Sequence, residues 1–287
     1  MNLAILIVFV HAGAAVLLSW FYFQRYTIQR PPVGVFNLGD VAFMLGGIVL
    51  IPYLYLLLPR WFATGLLGLG VLGILYVMLE PVLKARRLIW PLVIIILAAD
   101  IGAAVWLGGQ SVAFFAVNNI VQLLVVVGVT NTWAQSGMKA RDAAVLGTAL
   151  IAYDYLFTSV LSLMTDLIDH LAGLPFAPTV MWYFDNGGAL GWQGIGLGDL
   201  LLAAVFPLVM RKAYGRQAGR AALVLGLSAV AAVLSLRIVG LRYSVFPVMV
   251  VLGPLMVGQY LYWRHRCGPE RTTRQYWQAE AVLSSAS

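Results

Sequence analysis

This chain of 287 residues is short of charge: Asp, Glu, Lys and Arg make up 10% of it, while 62% is hydrophobic. Soluble domains average about 25% charged residues, so an ordinary globular enzyme and a disordered chain are both excluded. Cysteine is nearly absent, and Cys267 alone excludes an intrachain disulfide framework or a cysteine-rich metal site. There are three histidines and no H-E-x-x-H arrangement, which argues against a metalloprotease; His11 reads as a hydrogen-bonded bundle histidine. Internal repeats and low-complexity tracts are also missing. The net charge of +7 comes without a basic stripe interleaved with aromatics, so a nucleic-acid partner is not expected. What the chain has in quantity is long apolar runs, with a mean hydropathy of +0.90. It reads as an integral membrane protein.

A membrane span needs about 20 mainly apolar residues to cross about 30 Å of hydrocarbon. Nine such runs are visible, near 2–23, 38–59, 61–80, 88–107, 112–134, 143–165, 193–210, 221–236 and 244–263. Breaks fall at Pro31-Pro32, at Pro59-Arg60, at Lys84, Arg86 and Arg87, and at the turn Gly108-Gly109-Gln110-Ser111. Residues 166–192 form the one long internal connection. The expected fold is all-α, a nine-span membrane domain over 1–264 followed by a basic cytoplasmic tail over 265–287. Of the 18 Lys and Arg residues, 15 fall on one set of faces and only Arg60, Arg237 and Arg242 on the other. Positive charge gathers on the cytoplasmic side, so the N-terminus is expected outside and the C-terminus in the cytoplasm. The first span lacks a basic flank and a small-residue cleavage site, so it does not read as a cleaved signal peptide. No retention signal is visible, which points to a prokaryotic plasma membrane.

Four aspartates interrupt the apolar runs: Asp40, Asp100, Asp154 and Asp199. Ionisable groups at bilayer depth are costly and are functional candidates by default. At about 1.5 Å of rise per residue, Asp154 lies about 18 Å past Asp142, and Asp199 about 18 Å before Arg211 on a span running the other way. The two carboxylates therefore reach the same level. Asp100 comes to about 20 Å by the same arithmetic and reads as a protonated carboxylic acid or a hydrogen-bond partner rather than a catalyst, whereas Asp40 belongs near the inner interface. Glycines at 194, 196 and 198 precede Asp199 and leave room for close packing or a loosened backbone. Tyr153 precedes Asp154, and its phenol can donate to a carboxylate or a substrate oxygen. Pro247 and Pro254 in the last span free backbone groups near a cavity.

Tyr153-Asp154 and Gly196-Leu197-Gly198-Asp199 resemble the YD and GxGD motifs of the intramembrane aspartyl proteases, the family of presenilin and signal peptide peptidase. The family's third motif, Pro-Ala-Leu, is matched here by Pro247-Val248-Met249 after Phe246, with Pro254 following. Only the proline is kept. The resemblance implies a presenilin-like fold and an aspartic endopeptidase with Asp154 and Asp199 as the catalytic pair. It implies substrate contacts at Tyr153, Gly196, Leu197, Gly198, Pro247, Val248 and Met249. The orientation read from the charges is similar to that of signal peptide peptidase. It implies single-span substrates with cytoplasmic N-termini, including signal-peptide remnants.

Hydrolysis by two aspartates needs one carboxylate to activate water and a protonated partner to polarise the carbonyl. Two such groups held close together share a proton and titrate as a unit. No cofactor and no metal is required. The bilayer and transmembrane peptides are the expected partners, with no obligatory protein partner. The stretch Ala177–Phe184 is rich in strand formers and is expected to pair with an unwound substrate. Asn118, Asn119 and Gln122 read as interhelical hydrogen-bond formers, Trp182, Tyr183, Tyr260, Tyr262 and Trp263 as interface anchors, and Cys267 as a free thiol. Two other functions compete. One is a proton-coupled transporter or channel using Asp100, Asp154 and Asp199 as a relay; the other is a scaffold that binds single-span proteins without cleaving them.

Overall fold

A computed structural model describes residues 3–28, 36–83, 85–161, 163–185, 190–236, 247–272 and 275. The expectations attached to Arg30, Pro31, Pro32, Lys84, Arg237, Arg242, Phe246, Arg274 and the chain after 275 lie outside the described residues.

The chain is a helical membrane bundle. Its helices are α1 (Leu3–Arg25), α2 (Leu38–Leu57), α3 (Arg60–Leu83), α4 (Arg86–Trp106), α5 (Val112–Gln135), α6 (Ala140–Asp154), α7 (Leu163–Leu171), α8 (Leu197–Tyr214), α9 (Arg216–Leu236) and α10 (Met249–Cys267). Seven are long and apolar enough to cross a bilayer: α1 to α5, α6 with its continuation to Val160, and α9. The other two expected spans exist as the helices α8 and α10. In α8, Asp199, Arg211 and Lys212 dilute the apolar run, and Leu200 and Leu202–Met210 are all buried. It is an interior helix, packed against α1, α5, α6, α9 and α10, and has little need of a lipid-facing surface. The tail boundary at 264/265 falls inside a helix, since α10 runs on through His265 and Arg266 to Cys267, whose thiol is free and exposed.

One core joins α1, α5, α6, α8, α9 and α10, and a second joins α3, α4 and α5. Polar groups fasten helix ends. Asn37 and Asp40 form a capping box on α2, satisfying amides that lack intrahelical partners. The Lys212 ammonium donates to the carbonyls of Ala134 and Met138 at 2.7 and 2.9 Å, closing the last turn of α5. Glu270 accepts from the amides of Ala140 and Arg141 at 3.1 and 3.2 Å, placing a carboxylate on the N-terminus of α6.

The structure departs from the expected helices in two places. The sixth span is not one α-helix to residue 165: after Asp154 the backbone widens into a π-helical turn, Tyr155–Val160, and resumes as α7, which starts inside the expected span and runs on into the expected connection. The seventh span does not start at 193. Thr179–Asp185 (β1) pairs antiparallel with Leu190–Gly196 (β2), and only then does α8 begin. Alternate glycines explain this change. Gly194 faces Met181 across the ladder, and a Cβ there would sit 2.9 Å from the Met181 Cβ. A helix loses about 1 kcal/mol per glycine relative to alanine, so this stretch is poor helix and good hairpin. Among the described residues the fold is thus all-α apart from one hairpin.

Candidate functional site

Asp154 is the last residue of α6, at the junction with the π-helical turn. Such turns widen a helix by one residue and recur at functional sites. Both of its carboxylate oxygens are engaged. The Thr158 hydroxyl donates to Oδ1 and the Met249 amide to Oδ2, each at 2.8 Å. Met249 belongs to the Pro247-Val248-Met249 stretch, where all three residues are buried. Its contact with Asp154 is made by the backbone. A backbone contact of this kind does not depend on which side chains stand at 248 and 249.

Asp199 lies in the first turn of α8, which packs against α6, and the charge on Asp154 acts on the Asp199 carboxyl. The pair is partly buried. One Asp199 oxygen lies 3.3 Å from where a Gly196 Cβ would project, so the last residue of β2 borders the carboxyl. Leu197 is half-buried between the two cores, and Gly198 is exposed with open space where a side chain would be.

Tyr153 does not point its hydroxyl at a carboxylate. It donates to the Ile48 carbonyl of α2 at 2.9 Å, and its ring stacks on Phe157 at 4.5 Å. Asp100, fully buried in α4, accepts the Phe176 amide at 2.7 Å. Phe176 has a φ of +65°, a left-handed conformation that is strained for a bulky residue, and Asp100 holds it there. The third acid of the supposed relay is thus tied to the loop that enters β1. Asp40 caps α2, a role the sequence reading did not assign to it.

Other expected roles change. Asn118 and Asn119 do not bridge helices. Asn118 donates to the carbonyls of Ala177 and Thr179, both at 3.2 Å. Asn119 exchanges two bonds with the Met181 backbone, each at 3.0 Å. These amides fasten the outer edge of β1 to α5. Among the described residues, the buried amide nitrogen of Gln122 finds no hydrogen-bond partner. Tyr260 and Trp263 are buried, so of that trio only Tyr262 is exposed enough to anchor at an interface. Trp182 packs against the core, and the Tyr183 side chain lies outside the described residues. His11 bonds the Ile7 carbonyl within its own helix. Sequence reasoning passed over Thr158, although its position four residues after Asp154 places it on the same helical face.

No protein-family model, curated protein or solved structure matches this chain.

Proposed function

We propose that this chain is an intramembrane aspartyl protease with a nine-helix, presenilin-like membrane domain, cleaving single-span membrane peptides with Asp154 and Asp199. The observation that carries this reading is the convergence on Asp154. The acid at the end of α6 acts by its charge on Asp199 in the first turn of α8, and it is bound by the amide of Met249, from the proline-containing stretch that opens α10. Three segments far apart in sequence meet at one carboxylate pair, and they are the three that resemble the family's motifs. A structural pair of acids has no need of such a convergence.

In this reading one aspartate takes a proton from a water held between the two. The resulting hydroxide attacks the scissile carbonyl carbon while the other aspartic acid protonates the carbonyl oxygen. Collapse of the tetrahedral intermediate, with a proton returned to the amide nitrogen, breaks the C–N bond. We assign the basic faces to the cytoplasm of a prokaryotic cell and take type II or signal-peptide-like spans as substrates. The test is purified protein in detergent or liposomes with a helical single-span peptide, with and without a hydroxyl-bearing transition-state mimic. Cleavage suppressed by the mimic supports the protease; ion flux without cleavage supports a transporter; binding without either supports a scaffold.

The hairpin determines where an unwound substrate can pair. Met181 gives its N–H and C=O to Asn119, so the Met181–Gly194 pair is a non-hydrogen-bonded one. Leu197 donates to the Pro178 carbonyl, in the same register. The amides of Gly194 and Gly196 then point away from β1. The outer edge of β1, expected to receive substrate, is taken by α5, and β2 supplies the edge that leads to Asp199. Gly196 has φ −67°, which proline can adopt. Gly196→Pro and Gly196→Ala both add a Cβ, but only proline removes the N–H. Cleavage is expected to fall about tenfold further in the proline variant, the equivalent of one lost hydrogen bond to an otherwise unpaired group. Equal rates for the two variants would rule out pairing through that amide.

A further inference from the structure

Pro52 lies within α2, and its ring nitrogen carries no hydrogen. The carbonyl four residues earlier, Ile48, therefore has no helical donor, and in hydrocarbon no water replaces one. The donor it has instead is the phenol of Tyr153, at 2.9 Å. A second contact lies beside it: the Tyr53 ring meets Phe157 edge-on at 6.4 Å, and Phe157 stacks on Tyr153. Among the described residues, α2 packs chiefly against α6 and α7. Only 11% of its apolar window is buried, against 28–56% for the other six candidate spans. The least embedded helix is thus pinned to the residue next to Asp154 by a bond that exists because Pro52 interrupts the helix.

We propose that the Tyr153–Ile48 bond is a latch holding α2 across the lateral approach to Asp154, and that Tyr153 is a positioning residue for substrate access. This rests on the protease reading. An unwound peptide brings unpaired C=O and N–H groups. One of its carbonyls takes the Tyr153 hydroxyl, one of its amides takes the Ile48 carbonyl, and α2 is released with no polar group left bare. An intact helix offers neither group and cannot make this exchange, so the latch favours segments that unwind readily.

A double-mutant cycle tests the bond without relying on activity. Pro52→Ala returns a helical donor to Ile48, and Tyr153→Phe removes the phenolic one. Amide hydrogen exchange across α2 is measured in the parent, both single variants and the double. Tyr153→Phe is expected to raise exchange about tenfold in the parent and to change it little in the Pro52→Ala background. Equal effects in both backgrounds overturn the latch. Access is read separately with Pro52→Ala, using a single-span peptide and a short water-soluble peptide carrying the same cleavage site. The single-span peptide is expected to be cleaved about threefold faster and the short one at the parent rate, a barrier change within the range of coupled contacts. Equal change for both peptides overturns the role in access. If neither peptide is cleaved by the parent, the protease reading fails, while the exchange cycle still decides the latch.

Discussion

Replacing Asp154 or Asp199 with alanine lowers cleavage of a single-span peptide by about 10²–10⁴-fold, the usual contribution of a positioned acid or base. On the proposed mechanism the two groups act on one water as a unit, so the double variant is expected to fall no further than the worse single one. Both single variants keep the parent's helical content, since neither acid is needed to fill a core. Cleavage of peptide by purified variants, with circular dichroism alongside, reads both outcomes. Substantial residual activity in both single variants would remove the pair from the mechanism. Asp100→Ala separates the site from the scaffold: it releases the Phe176 loop rather than a reacting group.

The second large effect is expected at Gly253, where α10 meets α6. A Cβ there would run into the Ile151 side chain and lie 3.1 Å from the Gly147 carbonyl. Ile151 is one turn before Asp154, and Gly253 is one turn after Met249, so the contact sits directly beneath the hydrogen bond that holds Asp154. Gly253→Leu forces the two helices apart. Overpacking of this kind destabilises by about 1–3 kcal/mol. A shift of about 1 Å in a positioned group can lower the rate about 10²-fold. Thermal unfolding and cleavage rates measure the two effects. Gly258→Leu, on the same helix with nothing within 4 Å of the added carbon, is the control and leaves both near the parent values. A Gly253→Leu variant that cleaves at the parent rate would mean that the approach of α10 to α6 does not position Asp154.

Seven of the expected spans were readable because an apolar run of span length has one outcome in a bilayer: a helix that satisfies its own backbone. The same rule does not foresee where a run serves as interior helix, as in α8, or where it stops being helix. Gly194 and Gly196 lie in an apolar stretch that hydropathy assigns to a span. Their cost in a helix and their fit opposite Met181 and Thr179 turn it into β2. The strand character of 179–184 was legible from its β-branched and aromatic residues, but its partner was not. Pairing depends on Asn118 and Asn119, which occupy the other edge from a helix some 60 residues earlier. Similarly, Tyr153 was visible as a polar neighbour of Asp154. That its hydroxyl serves α2 follows from Pro52, a residue whose effect on Ile48 is local but whose remedy is distant.

What the sequence determined by itself was a multi-pass helical membrane class and most of its spans. Each follows from the cost of exposing backbone or charge to hydrocarbon, a cost set residue by residue along the chain. What only the tertiary structure decided was which groups complete the site. The amide of Met249, the hydroxyl of Thr158, the open edge of β2 and the carbonyl of Ile48 are backbone and short polar groups that every sequence contains in number. Their roles come from which helices lie beside one another, and no local pattern in the chain encodes that.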